Sequence, residues 1–254
     1  MDFLEALADQ LAALPDVEAV TLGGSRAQGT ARPDSDWDLG IYYRKSLDVR
    51  TLRSLGHEGQ VSEVGGWGGG VFNGGCWWRV AGEPVDVHYR DLDVVESEVR
   101  RAGQGKFDIE PLMFHLAGIP TYLVVAELAS NRTLRGGLPR VDAYPPRLRE
   151  AAVSVWSGRA RLTLGYAEKN STRTAQALGL ISLAVTQYAH AVAASRGIWV
   201  TNEKRLLDVA GLRGVDELFS TEHDPAELVH RIRTLAEIRE VEGIAALDGI
   251  TARA

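Results

Sequence analysis

The run from Gly23 to Tyr43 constrains the fold of this chain more than any other. Val17-Glu18-Ala19-Val20-Thr21-Leu22 is a short β-forming stretch, and Gly23-Gly24-Ser25 breaks it with residues that permit tight turning and close backbone approach. Ser25 suits the N-cap of a single helical turn over Arg26 to Gln28, which would leave backbone N–H groups pointing outward as an anion cradle.

Ten residues, 26–35, separate Ser25 from Asp36, and Trp37-Asp38-Leu39-Gly40-Ile41-Tyr42-Tyr43 then reads as a second strand. Side chains alternate along a strand. Asp36 and Asp38 are therefore expected on one face, about 6.5 to 7 Å apart at Cα, with Trp37 and Leu39 on the other.

A third aspartate belongs to Pro84-Val85-Asp86-Val87-His88-Tyr89, in which Val85, Val87 and Tyr89 share one face and Asp86 and His88 the other. Cys76 to Ala81 precedes it across a Gly82-Glu83 turn, so a β-hairpin is expected, with Asp86 on a strand near Asp38. Three carboxylates on one sheet face repel unless cations neutralise them. Hard oxygen ligands favour Mg²⁺ or Mn²⁺ over zinc.

Elsewhere the first half alternates helix and strand. Phe3, Leu4, Leu7, Leu11 and Leu14 recur at helical spacing before Pro15, Ser46 to Leu55 can form a helix, and Gln60 to Val64 a strand. The glycine-rich segment from Gly65 to Gly75 reads either as a flexible hairpin connection or as a lid whose Trp67 stacks on a ligand ring. Val94 to Arg101 is expected to be helical. So is the run from about Ile109 to Leu134, with a break at Gly118-Ile119-Pro120.

Gly136-Gly137-Leu138-Pro139 and Tyr144-Pro145-Pro146 are the strongest punctuation in the chain and divide it into residues 1–139 and 140–254. Beyond this point the pattern is helical throughout. Leu148, Ala152, Val155, Trp156, Leu162 and Tyr166 suit one helix, Leu178, Ile181, Val185, Ala189 and Val192 a second, and Leu228, Ile232 and Leu235 a last one. The fold class is accordingly α/β (α+β): a mixed twisted sheet with flanking helices, followed by an all-α bundle.

Composition, at 45% hydrophobic and 24% charged, is that of an ordinary soluble globular chain, and a cytoplasmic location is the expectation. No apolar run approaches the length of a membrane span, so no membrane association is expected. A net charge of -6 argues against a protein that grips long nucleic acid, which depends on many basic contacts to phosphate. The one cysteine, Cys76, rules out an intramolecular disulfide and a cysteine-rich zinc site.

Gly24-Ser25, Asp36-Trp37-Asp38 and the later strand aspartate Asp86 together resemble the active-site signature of the nucleotidyltransferase superfamily, whose fold is like the palm of DNA polymerase beta. The resemblance covers about the first half of the chain. It is closest to the antibiotic-modifying type, in which a helical C-terminal domain follows the catalytic one.

What the resemblance implies is a Mg²⁺-dependent transfer of a nucleoside monophosphate, AMP from ATP or the equivalent from another nucleoside triphosphate, to a hydroxyl of a small molecule such as an aminoglycoside, with release of pyrophosphate. Asp36, Asp38 and Asp86 would be catalytic and would hold two metal ions, Mn²⁺ being an alternative. Gly24, Ser25 and Arg26 would meet the phosphates, and Lys204 of the helical half would add a positive charge. The general base would be Asp86 or a glutamate of the helical domain, with Glu127 and Glu150 both open. A homodimer is compatible with the family. Two other functions stay open at this level: an antitoxin-like enzyme that adenylylates a partner protein, and a non-catalytic nucleotide sensor.

Overall fold

The computed structural model describes residues 3–68, 70–112, 114–221 and 224–235. Two compact units divide the chain, one formed by residues 1–101 and 120–143, the other by 102–119 and 144–254. A single cut after residue 139 therefore does not describe the division, because a segment inside the first half belongs with the helices of the second.

The first unit is built on a six-stranded sheet in the order β3 (Glu58–Val61), β4 (Gly75–Val80), β5 (Glu83–Asp91), β2 (Trp37–Tyr43), β1 (Val17–Leu22), β8 (Arg132–Gly136). α1 (Phe3–Ala12) leads into β1 (Val17–Leu22), and the short α2 (Gly24–Ala27) into β2 (Trp37–Tyr43). After α3 (Val49–Ser54), capped by the Asp48 carboxylate accepting from Arg50 N–H, come β3 (Glu58–Val61), β4 (Gly75–Val80) and β5 (Glu83–Asp91). β4 and β5 form the expected hairpin. Its turn residues Ala81 and Gly82 both have positive φ, 53° and 86°, the geometry that matches strand twist in a two-residue turn. β2 and β5 run parallel and the other neighbours antiparallel, so the sheet is mixed.

One face of the sheet is apolar. Val20, Leu39, Ile41, Val85, Val87 and Tyr89 pack there with Leu4, Leu7 and Leu11 of α1 and Leu52 of α3. Cys76 lies in the same layer, and burial pushes its thiol up to about 12, so it is an inert core residue. Arg135 of β8 (Arg132–Gly136) ties this layer's helix to the sheet edge, donating to Asp9 at 2.6 Å and pairing with Glu5 at 2.8 Å.

α4 (Leu92–Gly103) follows β5 as expected, but the run after it is not helical. Residues 109–120 form a two-stranded sheet of β6 (Ile109–Leu112) and β7 (His115–Pro120), and only α5 (Leu123–Ser130) is helix before β8. Gly118, at φ +85°, is not a helix break. It crosses the hairpin where a Cβ would meet the Glu110 carbonyl at 2.8 Å.

The second unit contains α6 (Pro146–Lys169), α7 (Thr174–Ser195), α8 (Leu206–Ala210), α9 (Val215–Thr221) and a further helix over residues 225–235. Its core joins Ala160, Leu164, Ile181, Val185, Tyr188, Leu212 and Leu228. The buried stripe of α6 runs through Leu148, Ala152, Trp156, Ala160 and Leu164, while Val155, Leu162 and Tyr166, which the spacing placed on the same face, are exposed. α7 corrects the expectation that no apolar run reaches the length of a membrane span: by length and composition it could cross one, yet most of its apolar window is buried in this core.

Candidate active site

Opposite the apolar layer, the sheet presents a polar face. Parallel pairing sets Asp38 of β2 directly beside Asp86 of β5, and the β4–β5 hairpin sets Trp77 beside Asp86. Residues in register on neighbouring strands share a face at roughly 4.8 Å spacing, so one row reads Trp77, Asp86, Asp38 across three strands. A second row behind it reads Gly75, His88, Gly40, Thr21, Thr133.

The Gly23-Gly24 turn closes on Asp38 from the β1 side. Gly23 N–H donates to the Asp38 carbonyl at 2.7 Å, and Gly24 has φ +59°. A Cβ on Gly24 would lie 1.8 Å from Asp38 Oδ2, so the carboxylate occupies the space a side chain would need. Here glycine is required twice, by conformation and by volume.

α2 begins at Gly24 with Gly23 as its N-cap and no side-chain capping bond, so Ser25 lies inside the turn and is not its cap. Glycine at the cap leaves the first N–H groups without an intrahelical partner while keeping the approach open.

Arg26 is already engaged. Its guanidinium donates to the Ser35 carbonyl at 2.6 Å through Nη2, and its Nε reaches the Ser35 and Asp36 carbonyls at 3.2 Å each. Its Cζ lies 4.0 Å above the Trp37 ring, which meets Phe3 edge-on at 5.0 Å. Arg26 thus braces the loop that enters β2.

β2 begins at Trp37, whose partner is Val85, so Asp36 precedes the ladder and strand alternation does not fix its side chain. It is exposed, its carbonyl held by Arg26. Asp38 and Asp86 are partly covered. Among the described residues no group of three or more His, Cys, Asp or Glu side chains is gathered as a ready-made metal site.

Behind the carboxylate row the face is covered. Trp67 lies over Gly75, where a Cβ would be 2.4 Å from the indole Cη2, and its ring packs 4.8 Å from that of Trp77 and 5.7 Å from that of Phe72. Trp67 and Phe72 both meet His88 edge-on, at 5.8 and 5.5 Å. Burial, with Arg90 adding to it, drives the His88 imidazole down to about 4, so it is neutral near pH 7. In the glycine-rich segment Trp67 and Phe72 thus cover this part of the sheet.

Arg90, 1% exposed, donates to both Glu127 oxygens at 2.6 Å, with Phe72 stacked 4.7 Å from its Cζ. Glu127 belongs to α5 in the first unit, not to the helical domain, and its carboxylate is committed to this bidentate pair. Neither half of the pair was legible as such in the sequence, since the partners lie 37 positions apart. Glu150 is exposed on α6. Lys204 is exposed just before α8 in the second unit, with Asn202 Oδ1 accepting from its backbone N–H at 3.0 Å.

On the β1 side, a cavity of about 190 Å³ is lined by Thr21, Asn131, Thr133, Arg140 and Asp142 among others. Asn131 abuts the turn, since a Cβ on Gly23 would be 3.0 Å from its amide.

Residues 5–64 match the family described as Polymerase beta, Nucleotidyltransferase, a span that holds Gly24, Ser25, Asp36 and Asp38 and stops short of Asp86. A nucleotidyltransferase-like protein from Exiguobacterium sibiricum 255-15 is similar in structure, with 13% identity over 95% of this chain and 73% of that one and a TM-score of 0.39, too loose a likeness to carry an argument. No curated protein matches the chain. The mixed sheet and the family match together give the first unit a polymerase-beta-like nucleotidyltransferase fold, with a helical part following it.

Proposed function

We propose that the chain transfers a nucleoside monophosphate, AMP from ATP in the first instance, to a hydroxyl of a small-molecule acceptor. The observation that carries this reading is the in-register pair Asp38 and Asp86 with Gly24 pressed against Asp38, a carboxylate pair beside a backbone turn that has no side chain in the way. The family match over residues 5–64 supports nucleotidyl transfer in general. An aminoglycoside-type acceptor is the finer part of the proposal.

The donor set suits a hard divalent cation, being carboxylate oxygen alone, and the absence of a side chain at Gly24 lets the backbone turn lie directly against Asp38 Oδ2. Asp38 and Asp86, joined by Asp36 from its loop, would hold Mg²⁺ or Mn²⁺, which when bound supplies charge neutralisation for the triphosphate.

The chain's own residues account for the remaining chemistry. Backbone N–H groups at Gly24 and Ser25 orient the phosphates, and Arg26 fixes the loop that carries Asp36. Asp86 takes the proton of the acceptor hydroxyl as its oxygen forms a bond to the α-phosphorus. The bond from that phosphorus to the bridging oxygen breaks, and pyrophosphate leaves with the electron pair. Glu127 is not the base in this scheme, because Arg90 holds both of its oxygens.

Incubation with Mg²⁺, each labelled nucleoside triphosphate and a panel of aminoglycosides and lincosamides tests the proposal by label transfer and pyrophosphate release. Asp38→Asn is expected to lower transfer by about a hundredfold or more with the fold intact by circular dichroism. Wild-type activity in the variant would refute the assignment. The exposed loop position of Asp36 favours, as a second reading, a nucleotide-binding sensor. That reading predicts ATP binding without pyrophosphate release and no effect of Asp36→Asn on either.

A further inference from the structure

The cavity on the β1 side of the sheet lies wholly within the first unit, and Asn131 joins it to the Gly23-Gly24 turn. The Asn131 backbone N–H donates to the Glu127 carbonyl at 2.8 Å, at the end of α5. Arg90 holds both oxygens of the Glu127 side chain, so a buried ion pair anchors the helix end that carries Asn131. Gly23 makes way for the amide. The backbone there, at φ -115°, suits any residue, yet a Cβ would lie 3.0 Å from both Oδ1 and Nδ2 of Asn131. Space, not conformation, calls for glycine at this position.

The cavity's polar groups are unspent. Among the described residues no hydrogen bond or ion pair engages the side chains of Asn131, Thr133, Arg140 or Asp142. Arg140 and Asp142, of opposite charge and two positions apart, do not pair with each other. The set offers one group that only donates, one that only accepts, and an amide and a hydroxyl that do both. Leu128, Pro139 and Val141 add apolar walls.

We propose that this cavity holds the base of the triphosphate, that the base is a purine, and that Asn131, Arg140 and Asp142 read its edge. The inference rests on the nucleotidyl-transfer reading for a triphosphate at the Gly24 turn. A volume of about 190 Å³ accepts a fused two-ring base, while a single-ring pyrimidine leaves part of it void. A purine carries donors and acceptors along its edge and apolar faces on either side, so it answers Arg140, Asp142 and the walls together. A phosphate in the same space would face the Asp142 carboxylate and the apolar walls. Thr21, which lines the cavity, stands two residues before Gly23, about 6.5 to 7 Å back along β1, a step that the ribose spans between phosphates and base.

The test is calorimetric binding to the full chain with Mg²⁺ present. The probes are analogues of ATP, GTP, CTP and UTP that cannot be cleaved between the α- and β-phosphates, and inorganic tripolyphosphate. At least one purine analogue is expected to bind about tenfold or more tightly than either pyrimidine analogue. Asn131→Ala and Asp142→Ala are each expected to cut that preference about fivefold or more, with tripolyphosphate affinity kept within about twofold. Asp142 is exposed and its replacement leaves the fold unaltered, so one variant reports even where loss of Asn131 disturbs the end of α5. Equal affinity for all four bases, a pyrimidine preference, no purine binding, or an undiminished purine preference in both variants overturns the pocket. Label transfer by the wild type is read separately. Transfer that ignores the base rejects this inference and keeps the function, whereas a purine preference in binding without transfer to any acceptor upholds the pocket and rejects transfer.

Discussion

A methyl group at position 24 would have no room. Gly24→Ala combines a left-handed φ of +59° with a 1.8 Å approach to Asp38 Oδ2. It is expected to displace the Asp38 carboxylate, reduce label transfer at least about a hundredfold, and cost about 1–3 kcal/mol in a urea unfolding curve. Arg26 makes a different prediction. Because its guanidinium is engaged with the Ser35 and Asp36 carbonyls and Trp37, Arg26→Ala should lower kcat with KM for ATP nearly unchanged. A rise in KM alone would return Arg26 to the phosphates, where the motif had placed it. At this scale the sequence singled out Asp36, Asp38 and Arg26 as candidates but carried no sign of the bonds Arg26 makes. The strand begins at Trp37 as its pattern indicates, so Asp36 lies just before the Trp37–Val85 pair, and the bond from Arg26 to the Asp36 carbonyl is what only the structure shows.

Among the elements, β1, β2, the β4–β5 hairpin and α1 follow from local pattern. Each is short, bounded by Gly, Pro or a turn, and alternates or repeats along its own length. β6 and β7 were hidden because the run from Ile109 onward is apolar without clear alternation, and such a run fits helix and strand alike. What holds β7 comes from far along the chain. Glu203 accepts from the N–H groups of Leu116 and Ala117, the latter at 3.0 Å, and lies 3.5 Å from His190, whose ring stacks 4.4 Å from that of Trp156.

Burial alone would raise the Glu203 carboxyl, but the His190 contact and the two backbone N–H groups outweigh it and hold it below its ordinary value. Its contribution is therefore present above the unfolded carboxyl value near 4.5 and is lost as pH falls through the lower folded value. Glu203→Gln is expected to lower the thermal midpoint at pH 7 and to flatten its decline between about pH 5 and 3, read by circular dichroism. An unchanged acid profile would refute the role of this carboxylate.

For the molecule as a whole, two cores were foreseeable as an α/β half and a helical half, but their boundaries were not. The first unit is interrupted by residues 102–119, which belong with the helices, and no local signal marks a segment that leaves one core for another. Leu164, fully buried in the helical core, gives the prediction at this scale. Leu164→Ala should cost about 2–5 kcal/mol in denaturant unfolding. Transfer activity should survive in whatever fraction remains folded, since no site residue of the sheet is altered.

The sequence by itself determined the strands that frame the site, the inert Cys76, the apolar layer under the sheet and the three aspartates worth testing, because each depends on periodicity or on residues within a few positions of one another. Tertiary structure alone decided that Asp38 stands beside Asp86, that Asp36 stays in the loop, that Arg90 claims Glu127, and that an exposed tryptophan ends the carboxylate row. Those facts depend on strand order and register. Register is set by pairing between segments nearly fifty positions apart, which no local pattern encodes.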